Sequence, residues 1–170
     1  CPQSPYAVAK VSAFWLVDNY RKAYGLFACT GILFNHESIL RPSRFVTQKI
    51  ISTAKRIAAG SVENLTLGRL DISRDWGWSP EYVDAMWRML QMEMPEDFVI
   101  ATGSSITLEQ FVDTAFNHFG LNWKEYVVQD QKYFRPTDIA ASFANPEKAK
   151  LKLGWSATTK ENDVITRMME

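Results

Sequence analysis

The chain has 170 residues, 46% of them apolar and 22% charged, with 19 Lys and Arg against 19 Asp and Glu. That length supports one core, and the balanced charge excludes the broad basic surface of a general nucleic-acid or anionic-membrane binder. No apolar run reaches the ~18 residues of a membrane span, and two cysteines make no disulfide framework, which suits a reducing, cytoplasmic setting. The N-terminus lacks the charged-then-apolar pattern of a signal peptide, and Cys1 in place of an initiator methionine reads as a fragment or processed chain.

Residues 5–24 read as a helix that starts at Pro5 and stops at Gly25. Its apolar residues fall on more than one face, which predicts burial between layers. "LFACTGILF" (26–34) reads as a strand buried on both faces, typical of a parallel sheet, with the polar group Asn35-His36-Glu37-Ser38 as the loop at its carboxyl end. A second helix spans Phe45 to Ala59, and a short strand Leu65–Leu67 leads into "GRLDISRDWGW". Ser79 is placed to cap a third helix with Pro80 at its first position and Val83, Met86, Trp87 and Leu90 inward. "DFVIAT" (97–102) reads as another buried strand. Thr107 with Gln110 forms a capping-box pattern ahead of a helix that Gly120 ends, and a strand is expected near Tyr126–Val128. A short helix follows Asn145-Pro146 and stops at Gly154; Thr158 with Glu161 reads as a capping box for the last helix. Alternating helices and strands make the class α/β.

Tyr6 and Lys10 are four apart, so one helix face carries both. A phenol titrates near ~10 and is a poor base at neutral pH; an adjacent ammonium stabilises the phenolate and makes it a usable acid/base for alcohol–ketone interconversion. The same spacing also occurs in ordinary surface pairs. Asn35 is either a turn residue or a ligand contact, His36-Glu37 lacks the second His of a zinc motif because position 40 is Leu40, and Trp76 and Trp78 serve core packing or stack on a base. Basic residues such as Arg41, Lys49 and Arg74 suit either a solvated face or a pyrophosphate.

In chain order "SPYAVAK", "TGILFNHES", "RFVTQKI", "RDWG", "PEDFVIATG", "YFRPTD" and "KAKLKLGW" run from Ser4 to Trp155. These segments resemble the GDP-mannose 4,6-dehydratase family of the extended short-chain dehydrogenase/reductase superfamily. "GILFNHES" and "PEDFVIATG" are particular to that family; Y-x-x-x-K and "RDW" are shared more widely. The resemblance implies the remnant of a Rossmann-type parallel sheet interleaved with a C-terminal nucleotide-sugar-binding region, one unit over residues 1–170. It implies Tyr6 as the catalytic tyrosine and Lys10 as its partner, both also meeting NADP, with His36 and Arg41 as further NADP contacts. Asn35, Lys49, Arg74, Arg135 and Asp138 would face GDP-mannose or a related nucleotide sugar, with Asp138 standing where the family usually has Glu. No metal is implied, and a homo-oligomer is.

The chain also departs from the family. Its eight glycines, at 25, 31, 60, 68, 77, 103, 120 and 154, form no G-x-G, so the dinucleotide turn of the superfamily is absent from these residues. The upstream Ser/Thr-x-Glu segment, source of the base at C5, is absent too. The sequence thus corresponds to roughly the C-terminal half of such an enzyme, and the 170 residues alone are expected to self-associate and to catalyse nothing. "ESILRPSRFVTQK" stands for the family's more basic "ESPRRGETFVTRK", which bears on NADP affinity and subunit contacts; Trp78 and Pro80 replace a His and a Lys, which bears on substrate choice.

Overall fold

The computed structural model describes residues 2–134 and 137–170. Helix α1 (Pro5–Tyr24) begins where Ser4 accepts a hydrogen bond from Ala7 N at 3.1 Å and ends at Gly25, whose φ of 63° is left-handed. Contrary to the expectation of a helix between layers, none of its residues is buried, and Trp15 is 61% exposed. One stripe, Ala7, Phe14, Val17, Asp18 and Arg21, is half-buried, and the remaining faces with their apolar side chains are exposed. What holds α1 is its last turn: Arg21 donates to Ala28 O at 2.7 Å and to the Asp97 carboxylate, which also accepts Thr30 N at 2.7 Å.

The expected 26–34 strand is paired only over β1 (Gly31–Leu33), and the expected loop after it is a second strand, β2 (Asn35–Glu37). The two differ in partner. β1 runs parallel to β6 (Phe98–Ile100), whereas β2 runs parallel to β5 (Trp76–Trp78), with His36 opposite Gly77. β3 (Leu65–Leu67) pairs in parallel with β8 (Val127–Gln129), and β4 (Ser73–Arg74) pairs antiparallel with β7 (Ile106–Thr107). The chain therefore changes sheet neighbours at Phe34–Asn35, and a crevice opens where it does.

Helix α2 (Val46–Ala58) buries Ile50, Ile51, Ala54 and Ile57, one stripe at helical spacing. It packs on α4 (Leu108–His118), which packs in turn on α6 (Glu161–Met169); with β3 and Trp76 of β5 these form one core. The second core joins α3 (Ser79–Met89), β6, α5 (Glu147–Leu153) and Trp155.

The Thr107–Gln110 capping box is present in both directions. The Thr158–Glu161 box is not: Thr158 gives its N–H and hydroxyl to Glu81, at 3.2 and 2.5 Å, while Glu161 accepts from the Thr102 hydroxyl. Nor does Ser79 cap α3, which starts one residue earlier than expected with no side-chain cap. That helix is also turned. Tyr82, Ala85 and Met89 are buried, and Val83, Met86, Trp87 and Leu90 are exposed. Among the described residues no helix is long and apolar enough to cross a membrane.

Candidate functional site

The crevice at the strand switch opens into a cleft of about 750 Å³. Tyr6, Asn35, His36, Arg41, Arg74 and Asp138, drawn from five separate stretches of chain, line it together. Lys10 sits one turn along from Tyr6 with its ammonium 5.6 Å from the centre of the phenol ring, as the Y-x-x-x-K spacing predicts. Tyr6 is 72% exposed, so its hydroxyl is open to a ligand.

Beside it, the NHES segment is built from β2. Alternation along a strand sends Asn35 and Glu37 to one side and His36 to the other. Glu37 is buried and forms a bidentate pair with Arg41, at 2.5 and 3.0 Å, while the Thr47 hydroxyl donates to it at 3.1 Å. Arg41 also donates to His36 O at 2.9 Å and stacks its guanidinium 4.4 Å from the Phe45 ring centre. The Glu37 hydrogen bonds hold the Arg41 guanidinium still more firmly protonated than usual, against the opposing effect of burial. Arg41 is thereby locked in one orientation at the cleft edge. Arg44, next to it, places its guanidinium 5.1 Å from the same ring.

His36 is fixed on two sides. Its Nδ1 lies 2.8 Å from Phe34 O, and its ring stacks on Tyr82 with centres 4.8 Å apart. Tyr82 fits there because Gly77, the ladder partner of His36, has no side chain: a Cβ would fall 2.3 Å from the Tyr82 ring. Further along, Asp75 is fully buried and accepts the N–H groups of Thr102 and Gly103, at 3.0 and 2.9 Å. Burial pushes its carboxyl pKa up, and those two N–H groups offset part of the rise.

Arg74 and Asp138, both expected at the substrate, form an ion pair at 3.0 Å across the cleft wall; Arg74 also donates to Ser73 O and Ile139 O, at 2.8 and 2.7 Å. Lys49 is placed otherwise. Its ammonium donates to Thr66 O at 2.7 Å and sits 5.4 Å from the Tyr133 ring centre, so Tyr133 rather than Lys49 lines the cleft. Arg135 lies outside the described residues. Trp76 is buried against Phe111, ring centres 5.1 Å apart. Trp78 and Pro80 line a different groove, with Arg167 5.7 Å from the Trp78 ring centre, so their departure from the family form falls off the cleft. Among the described residues no cluster of three or more His, Cys, Asp or Glu side chains could hold a metal ion.

The sequence does not single out Thr47, Tyr82 or Tyr133, and Glu37 enters it only within the polar group 35–38. The Glu37/Arg41 pair had a trace, opposite charges four apart, but not on a helix. Tyr82 gives no signal of its own, because Val83, Met86, Trp87 and Leu90 form an equally apolar stripe on α3.

Comparison with known proteins places the chain in a family. The sequence profile described as "GDP-mannose 4,6 dehydratase" matches residues 1–168. GDP-mannose 4,6 dehydratase 2 of Arabidopsis thaliana is 49% identical over 169 residues, which cover 99% of this chain and 45% of the relative. The human GDP-mannose 4,6 dehydratase is 43% identical, with 99% and 50% covered. The chain spans about half the length of the curated relatives it matches. Among solved structures, RMD from Pseudomonas aeruginosa complexed with NADPH superposes with a TM-score of 0.87 at 19% identity, covering 99% of this chain and 55% of the other. A dTDP-glucose 4,6-dehydratase from Bacillus anthracis in complex with NAD gives 0.86 at 20%, with 99% and 52% covered. At this identity the likeness is one of fold, and it is the Rossmann-type α/β fold expected from the sequence. With the profile spanning nearly every residue, the chain belongs to the GDP-mannose 4,6-dehydratase family.

Proposed function

We propose that the protein carrying this chain dehydrates GDP-mannose to GDP-4-dehydro-6-deoxy-mannose with NADP as cofactor. One observation carries the reading: the strand switch gathers Tyr6, Asn35, His36, Arg41, Arg74 and Asp138 on one cleft, although they are spread over more than 130 positions. NADP, when bound, supplies the acceptor and donor of hydride for such a reaction. The residues here fit its nicotinamide and ribose end, where the exposed Tyr6 phenol stands beside the Lys10 ammonium and His36 and Arg41 are held rigid. As its phenolate, which Lys10 steadies, Tyr6 takes the proton of the sugar C4 hydroxyl and becomes the phenol, and Asn35 orients the hexose. Arg44 on the cleft wall has no carboxylate partner among the described residues and offers its charge and N–H donors to a diphosphate.

This assignment gives the chain the first proton transfer and the sugar-nucleotide pocket. Elimination across C5–C6 needs a further base, and the cleft acids Glu37 and Asp138 are each engaged by an arginine. Together with the lack of a G-x-G turn, that favours a second reading for these 170 residues by themselves: they bind a sugar nucleotide without turning it over. The names of the solved neighbours support the cofactor class, since one carries NADPH and one NAD. The exposed apolar α1 supports a homo-oligomer.

The test is product formation from GDP-mannose, UDP-glucose and dTDP-glucose by the protein carrying this chain. Turnover of GDP-mannose is expected, and Tyr6→Phe is expected to cut kcat by about 10²–10⁴ with little change in KM. Turnover of another sugar nucleotide and none of GDP-mannose sinks the first reading. Product from the 170 residues alone sinks the second.

A further inference from the structure

The ladder between β1 and β6 ends in an uncommon way. Parallel pairing is evenly spaced. Phe98 N donates to Thr30 O and Phe34 N to Ile100 O, each at 3.0 Å, and the next rung would carry Thr102 N to Phe34 O. Thr102 N goes instead to the Asp75 carboxylate at 3.0 Å. The Phe34 carbonyl is left for the His36 ring, 2.8 Å from Nδ1. A carbonyl oxygen can only accept, so Nδ1 carries the proton; a neutral imidazole has one such proton, and Nε2 is then a bare lone pair. Stacking on Tyr82 holds the ring in this plane, and Nε2 has no hydrogen-bond partner among the described residues.

We propose that His36 serves the cleft as a hydrogen-bond acceptor: its Nε2, oriented by the Phe34 carbonyl and the Tyr82 ring, takes a hydroxyl or carboxamide N–H of the ligand and not a phosphate oxygen. The inference rests on the reading of the cleft as a nucleotide site, and it deepens that reading by assigning the chemistry that His36 recognises. Phosphate charge falls to Arg44 on the cleft wall.

The tautomer is directly observable. Nitrogen-15 labelling of histidine in the protein carrying this chain reports it, and loss of one ring's signals in His36→Gln assigns that ring. At about pH 8, above the ordinary imidazole range of ~6.5, the His36 ring is expected to show a protonated-type Nδ1 and a bare Nε2. A protonated Nε2 overturns the proposal. Tyr82→Phe keeps the stacked ring and is expected to keep the tautomer; a switch in that variant would mean that the Tyr82 hydroxyl sets it, which also overturns the proposal.

Three probes then test the recognition: GDP-mannose, NADPH and inorganic phosphate. The Nε2 signal is expected to move with one of the two nucleotides and not with phosphate, and the nucleotide that moves it identifies whether the donor belongs to the sugar nucleotide or the cofactor. Movement with phosphate overturns the proposal, as does calorimetric binding of both nucleotides with no movement. If neither nucleotide binds, the cleft reading fails and the recognition half falls with it, while the tautomer result reports separately on the geometry.

Discussion

Single side chains in this site are held by partners that leave them one orientation. Glu37 is buried and meets both the Arg41 guanidinium and the Thr47 hydroxyl, so it is the anchor and Arg41 the presented group. Glu37→Gln keeps the shape but loses the charge-assisted bonds, and a loss of about 1–3 kcal/mol in urea unfolding is expected. Tyr82 and Gly77 form the other clamp. Gly77→Ala drives a Cβ into the Tyr82 ring, and overpacking of that kind costs about 1–3 kcal/mol. The Tyr82 hydroxyl, by contrast, is buried with no partner among the described residues. Tyr82→Phe is therefore expected to leave stability unchanged or raise it by up to about 1 kcal/mol in the same experiment.

At the scale of elements, α1 is tied down at its last turn by Arg21. Burial pushes the Asp97 carboxyl up, but the Arg21 hydrogen bond and the Thr30 N–H more than offset it and leave its pKa below the ordinary carboxylate value. A depressed carboxylate stabilises the fold in full above its unfolded pKa of ~3.9 and loses that stabilisation as pH falls further. Protection of the amides at residues 28–30 and in the last turn of α1, measured against the intrinsic exchange rate at each pH, is expected to fall below about pH 4. In Arg21→Ala the same exchange should be fast already at neutral pH; unchanged exchange there would show that α1 docks by other means. Elements also show where local signals suffice. Thr107–Gln110 read correctly because both partners lie in one turn. Thr158–Glu161 read incorrectly because the Glu81 carboxylate, far off in sequence, captures Thr158 first. The inward face of α3 was misplaced by about one residue, since aliphatic and aromatic side chains lie on both of its faces and only the seat of Tyr82 over Gly77 chooses between them.

The molecule as a whole carries two cores and leaves apolar faces on α1 and α3 in the open: Trp15, Leu16 and Tyr20 on one, Val83, Trp87 and Leu90 on the other. Faces of this size rarely stay in water. Light scattering of the 170-residue chain is expected to give a mass above the 19.4 kDa of one copy. Trp15→Glu with Leu16→Glu should lower it. A monomer before substitution would show that the α1 face tolerates solvent.

The sequence by itself determined the α/β class, the spans of the helices, the Tyr6–Lys10 pairing and the family, because each depends on residues close together or on motifs that survive in order. Through resemblance it also named six of the residues that line the cleft, Tyr6, Asn35, His36, Arg41, Arg74 and Asp138. Only the tertiary structure decided which of them meet. The change of strand partner at Phe34, the engagement of Arg74 by Asp138, the retreat of Lys49 to the Thr66 carbonyl and the burial of Asp75 depend on contacts between segments tens of residues apart. Periodicity and propensity carry no record of such contacts, since a backbone carbonyl or a buried carboxylate is claimed by whichever donor the packing brings to it.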